Sequence, residues 1–141
     1  MRFTSGGRQI SAPILVAAVA PGLFAADSSG HGPAAAQLIR VHADGSQEPP
    51  QSISGPIERA GPSDTLYVVL YGTGIRHFAK PPSATLGGQP VEVVYAGPQD
   101  SFPGLDQVNI RLPAAQPGPD TLAFTLTVDG VDSNTVTLSF R

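Results

Sequence analysis

A chain of 141 residues is long enough to bury about two thirds of its unfolded surface as one domain with a core of its own. Only 13% of the residues are charged and the net charge is -3, so no basic field exists to hold nucleic acid or an anionic membrane. Cysteine is absent, which excludes disulfides and thiol catalysis, and the 16 glycines and 15 prolines read as turn residues of a β-rich fold.

The first 26 residues carry Arg2 and Arg8 ahead of an apolar run from Ile14 to Ala20, an outline shared with secretory signals. Pro13 abuts that run and Pro21 follows the position where cleavage would fall, so a strand over 13–19 ending in a turn at Pro21-Gly22 is the favoured reading. A serine-bearing glycine turn before a β-rich run occurs both at 7–16 and at 130–138. The chain therefore divides into 1–26, an N-terminal strand or linker left from a preceding module, and 27–141, the main domain. No run is long enough to span a bilayer.

Beyond the loop at 27–33, the cluster Leu38, Ile39 and Val41 predicts a strand, and Asp44-Gly45 a turn. Residues 46–63 hold four prolines and little periodicity, which predicts a mobile connector open to proteolysis. The runs 66–71 and 93–95 are apolar on both faces, as expected of strands in the middle of a covered sheet. Between them lie the one local basic cluster, 76–80, and a hairpin turn at Gly87-Gly88.

Period two then dominates. Residues 107–112, 122–128 and 134–140 alternate apolar with polar, giving each segment one dry and one wet face. Two such layers, dry faces together, make an all-β antiparallel sandwich. Its expected core is Leu66, Val68, Leu70, Val93, Val108, Ile110, Leu122, Phe124, Leu126, Val136 and Leu138. The last hairpin carries a conflict: a two-residue turn at Asp129-Gly130 sets Phe124 opposite Thr135. The dry faces match only with a three-residue loop or a bulge near Ser133-Asn134.

Several short pieces occur in a distinctive order. They are Ala20-Pro-Gly-Leu-Phe24, Ala43-Asp-Gly-Ser46, Val69-Leu-Tyr-Gly-Thr-Gly-Ile75, Ala84-Thr-Leu-Gly-Gly-Gln-Pro-Val91, Val94-Tyr-Ala-Gly97, Pro103-Gly-Leu-Asp-Gln-Val-Asn109 and Leu112-Pro113. Together they resemble the uncharacterised C-terminal domain of many large exported proteins of soil acidobacteria. The Gly-Thr-Gly and Leu-Gly-Gly-Gln-Pro-Val pieces are also similar to the immunoglobulin-like IPT/TIG module. The resemblance implies an immunoglobulin-like sandwich in a secreted or cell-surface setting, and carries over no catalytic residue.

The residues themselves offer little catalytic chemistry. His31, His42 and His77 lack metal-ligand spacing and read as loop and edge histidines. The aspartates at 100, 106, 129 and 132 lack the ladder and closing Glu of a calcium loop. Tyr71-Gly-Thr-Gly-Ile-Arg76 lacks the third glycine and the helix of a dinucleotide site, so no cofactor is expected. Glu48, Glu58 and Glu92 do not pair locally. The reading is a non-catalytic structural or interaction module whose partner is a neighbouring domain or a cell-surface protein or glycan. The alternative is a carbohydrate-binding accessory domain, with Tyr67, Tyr71 and Tyr95 as a stacking strip, or Arg76, His77 and Lys80 as a polar loop.

Overall fold

The structure, a computed structural model, describes residues 2–5, 8–11, 18–114 and 119–141, the first two stretches as backbone alone. Every helix or strand among them is a strand: β1 (Arg2–Ser5), β2 (Arg8–Ser11), β3 (Gly22–Leu23), β4 (Ala36–Val41), β5 (Gln51–Ser52), β6 (Thr65–Thr73), β7 (Ser83–Leu86), β8 (Gln89–Pro98), β9 (Asp106–Arg111), β10 (Asp120–Val128), β11 (Val131–Asp132) and β12 (Val136–Phe140). No helix there is long and apolar enough to cross a membrane. β1 and β2 form an antiparallel pair. The expected strand over 13–19 lies outside the described residues except for Ala18 and Val19, which belong to no strand.

The other ten strands make one antiparallel sheet in the order β11-β10-β7-β8-β9-β6-β4-β5, with β12 also on β10 and β3 also on β6. The sheet stays open, and β8 belongs to both of its halves. Gln89 to Val91 pair with β7, whereas Glu92 to Pro98 pair with β9 across a bulge between Val93 and Tyr95. Bending there brings two dry faces together, and one core cluster takes side chains from β6 and β9 on one side and β10 and β12 on the other. The fold is the expected all-β antiparallel sandwich. Of the eleven expected core residues, nine are buried, and Val93 and Leu122 pack partly buried against them.

β6 owes its two-sided apolar sequence to its place. It lies between β9 and β4, with Leu66, Val68 and Leu70 inward and Val69 nearly covered on the other face. The Gly-Thr-Gly at its end serves a crossing of backbones. A Cβ on Gly72 would sit 2.2 Å from the Gly22 carbonyl oxygen, and one on Gly74 would sit 2.1 Å from that of Ala20. The Ala20 N–H donates to the Gly74 carbonyl across this contact (2.9 Å). Val19, Leu23 and Ala25 thereby enter the core, so the sandwich begins ahead of the expected boundary at Asp27.

The last hairpin resolves its conflict by the bulge. Asp129 and Gly130, both at positive φ, form a two-residue turn that pairs Val128 with Val131 and Thr127 with Asp132. One extra residue at Ser133-Asn134 then moves the register, and Phe124 faces Val136. The expected hairpin at Gly87-Gly88 is present, again with both glycines at positive φ.

Residues 46–63 form a strap rather than a free connector. Glu48 and Ile53 donate backbone N–H groups to Arg40 and Ala36 along β4, and β5 pairs with the same strand. Further on, Ile57 is only 3% exposed and bonds both ways with β12's end, its N–H to Ser139 and its carbonyl from Arg141. One segment thus covers the outer edges of both layers, where unpaired backbone would invite association.

Candidate functional site

Register places the sequence-selected side chains. Directly opposed residues in an antiparallel pair share a face. Gln37, Val69, Asn109 and Tyr95 form one cross-strand row, and Ile39, Tyr67, Arg111 and Glu92 another. Tyr71, Gln107 and Gly97 form a third. All three tyrosines therefore stand on the outer face of the β4-β6-β9-β8 layer, away from the core. Tyr95 is 40% exposed, and Tyr67 and Tyr71 are half-buried by their neighbours. Burial shifts the Tyr71 phenol upward, and its hydroxyl donates to Gln37 Oε1 at 2.6 Å.

Sequence reasoning missed a fourth ring. Phe24 continues β3 by one residue, donates its N–H to the Tyr71 carbonyl (2.9 Å) and is 43% exposed beside it. It fell in a stretch read for targeting and turns, where no alternation marks a face.

The 76–80 residues are not gathered into a site. Arg76 turns inward: its Nε donates to Asp106 Oδ1 at 2.6 Å and its Nη2 to the Leu105 carbonyl at 3.0 Å. Asp106, 1% exposed, also accepts the backbone N–H groups of Ile75 and Arg76. His77 is exposed, and Lys80 edges a hollow of about 530 Å³ beside the β10–β11 turn. There Asp129 caps the N–H groups of Ala79 and Lys80, which hold its carboxyl below the usual range.

Asn134 and Ser133, the bulge residues, act on backbone as well. The Asn134 amide accepts from the Leu23 N–H (2.7 Å) and donates to the carbonyls of Leu23 and Gly30. Ser133 Oγ accepts from the Leu126 N–H. The outer face of the second layer is a hydroxyl ladder satisfied internally, with Thr121 on Ser139, Thr125 on Thr135 and Thr127 on Asp132.

One charged cluster lies at the sheet edge. His42 Nε2 meets Glu48 at 2.9 Å and its Nδ1 meets Asp64 at 3.2 Å, while Arg40 bonds Asp64 at 3.2 Å. The bond to Asp64 raises the His42 pKa above its ordinary 6.5, and the same bond lowers Asp64 below 3.8. The imidazolium's contribution to stability is full below the unfolded-state value and is lost as pH rises through the higher folded value. Asp64's contribution is present above its unfolded value and is lost as pH falls through the depressed one. The thermal midpoint is therefore expected to be highest between about pH 4 and pH 6.5. In His42→Gln the decline on the alkaline side should disappear, and an unchanged decline in a pH series of melting curves would refute this. Among the described residues, no three histidine, aspartate or glutamate side chains form a metal-binding group.

No family model, curated protein or solved structure matches the chain.

Proposed function

We propose that the chain is a non-catalytic, immunoglobulin-like interaction module of an exported bacterial protein, meeting a neighbouring domain or a cell-surface partner. The observation that supports it best is the use made of polar side chains. Asp106, Ser133 and Asn134, the groups drawn into or against the core, make their hydrogen bonds inside the fold, Ser133 and Asn134 to backbone and Asp106 to two backbone N–H groups and Arg76. Such side chains build a scaffold, which leaves the open outer face of the β6-β9 layer as the surface for contact. The pieces that resemble the exported-protein domain serve that scaffold too: Gly72 and Gly74 seat the N-terminal segment, and Gly87-Gly88 turns β7 into β8.

Protease treatment of intact cells carrying a C-terminal epitope tag on the native protein tests the placement. Loss of the tag while a cytoplasmic marker survives is the expected result. Digestion only after lysis would overturn the exported setting.

A further inference from the structure

The outer face of the β4-β6-β9-β8 layer contains a line of rings that crosses its strands. Phe24, Tyr71, Gln107 and Gly97 fall in one row from the end of β3 to β8, and strands about 4.8 Å apart make that row about 14 Å long. Gly97 is where the last ring lies. A Cβ there would sit 2.9 Å from the Tyr95 hydroxyl oxygen and 3.3 Å from its Cζ, so the tyrosine ring rests along its own strand over the glycine. Its hydroxyl donates to the Pro98 carbonyl at 2.7 Å, which fixes the ring in that pose. Held at its hydroxyl end and 40% exposed, the Tyr95 ring is pre-oriented for contact at little entropic cost on binding.

Amides fill the space between the rings. Gln37 Oε1 is taken by the Tyr71 hydroxyl, and Gln107 Nε2 donates to Asn109 Oδ1 at 3.0 Å. Among the described residues the Gln37 and Asn109 amide nitrogens and the Gln107 carbonyl oxygen keep their remaining hydrogen-bonding capacity toward solvent. The only charged residues at strand positions of this face, Arg111 and Glu92, lie at one end and face each other at 3.9 Å. Val69, the central aliphatic side chain, is only 4% exposed, so rings and amides rather than aliphatic groups surface along the row.

The geometry points to a neutral polysaccharide chain as the ligand of this face, lying along the row Phe24–Tyr71–Gln107–Tyr95. Sugar rings match it on each count: apolar C–H faces for the aromatic rings, hydroxyls for the amides, no charge, and an extended shape for a row four strands wide. This inference rests on the proposed interaction role and names its partner class.

Affinity electrophoresis of the full chain through gels containing β-glucan, xylan or glucomannan, with polygalacturonate as the anionic control, tests it. At least one neutral gel should retard the wild type more than polygalacturonate does. Tyr95→Ala and Phe24→Ala should each weaken that retardation about two- to tenfold, while Thr125→Ala, on the opposite layer's outer face, should leave it unchanged. Gln107→Ala, which keeps every ring, should also weaken it and decides the matter if a ring variant fails to fold. No retardation in any neutral gel, or equal weakening by Thr125→Ala, would overturn the inference. A surface-exposed chain that binds no neutral glycan leaves the interaction role standing, whereas protection from protease on intact cells removes that role independently.

Discussion

Asp106→Ala is expected to cost about 3–5 kcal/mol, because it removes the enclosed carboxylate of an ion pair and leaves two backbone N–H groups and the Arg76 Nε without their acceptor. The carboxylate is almost wholly enclosed, and it serves Arg76 and two backbone N–H groups at once. The N–H groups of Ile75 and Arg76 belong to the chain's exit from β6, so the loss falls on the crossing from the first layer to the second. A single domain has about 5–15 kcal/mol in total, so this one change removes a large part of it. Asp106→Asn retains the shape and one acceptor and should fall between the wild type and the alanine variant. Urea unfolding midpoints check both, and a loss under about 1 kcal/mol in the alanine variant would contradict the role assigned to the pair.

Phe124→Ala should be comparably severe, at about 3–5 kcal/mol, with Ile110→Ala at about 2–5 kcal/mol. Both side chains are fully buried, Phe124 opposite Leu86 and Val136, and Ile110 opposite Val68 and Val93. They come from different layers, so each truncation opens a cavity on its own side of the interface, and the spread in each range reflects how far the neighbours close in. Denaturant unfolding measures the two. A loss below half a kilocalorie at both positions would mean the inward faces have been assigned the wrong way round.

The strands that alternate were legible because alternation is itself the cause of their burial. β9, β10 and β12 have one dry face in the sequence and the same dry face in the sandwich. The bulge at Ser133-Asn134 was legible for a similar reason: two apolar registers could not be reconciled across Asp129-Gly130 without an extra residue. Other features depend on partners far away in the chain, and no local pattern announces them. Gly72 and Gly74 read only as a glycine break after a strand until the carbonyls of Ala20 and Gly22 are found against them. Arg76 reads as the head of a basic cluster until Asp106, thirty residues later, takes it inward. Ile57 is one of two isoleucines among prolines, at no strand-like spacing that would signal that it anchors a strap to β12. The tyrosines could be named as candidates from the sequence, but only the cross-strand register puts them on one face, and only there does Phe24 join them.

The clamp of Asn134 on Leu23 joins residues 111 positions apart. Synthesis from the N-terminal side presents Leu23 long before Asn134 exists, with its β6 partners Gly72 and Thr73 made in between. Contacts this distant make closure slow as well as late, because the loop entropy is lost before the contacts return it. Until the final hairpin emerges, Leu23 has the edge of β6 to pair with but not the Asn134 amide that takes both its N–H and its carbonyl.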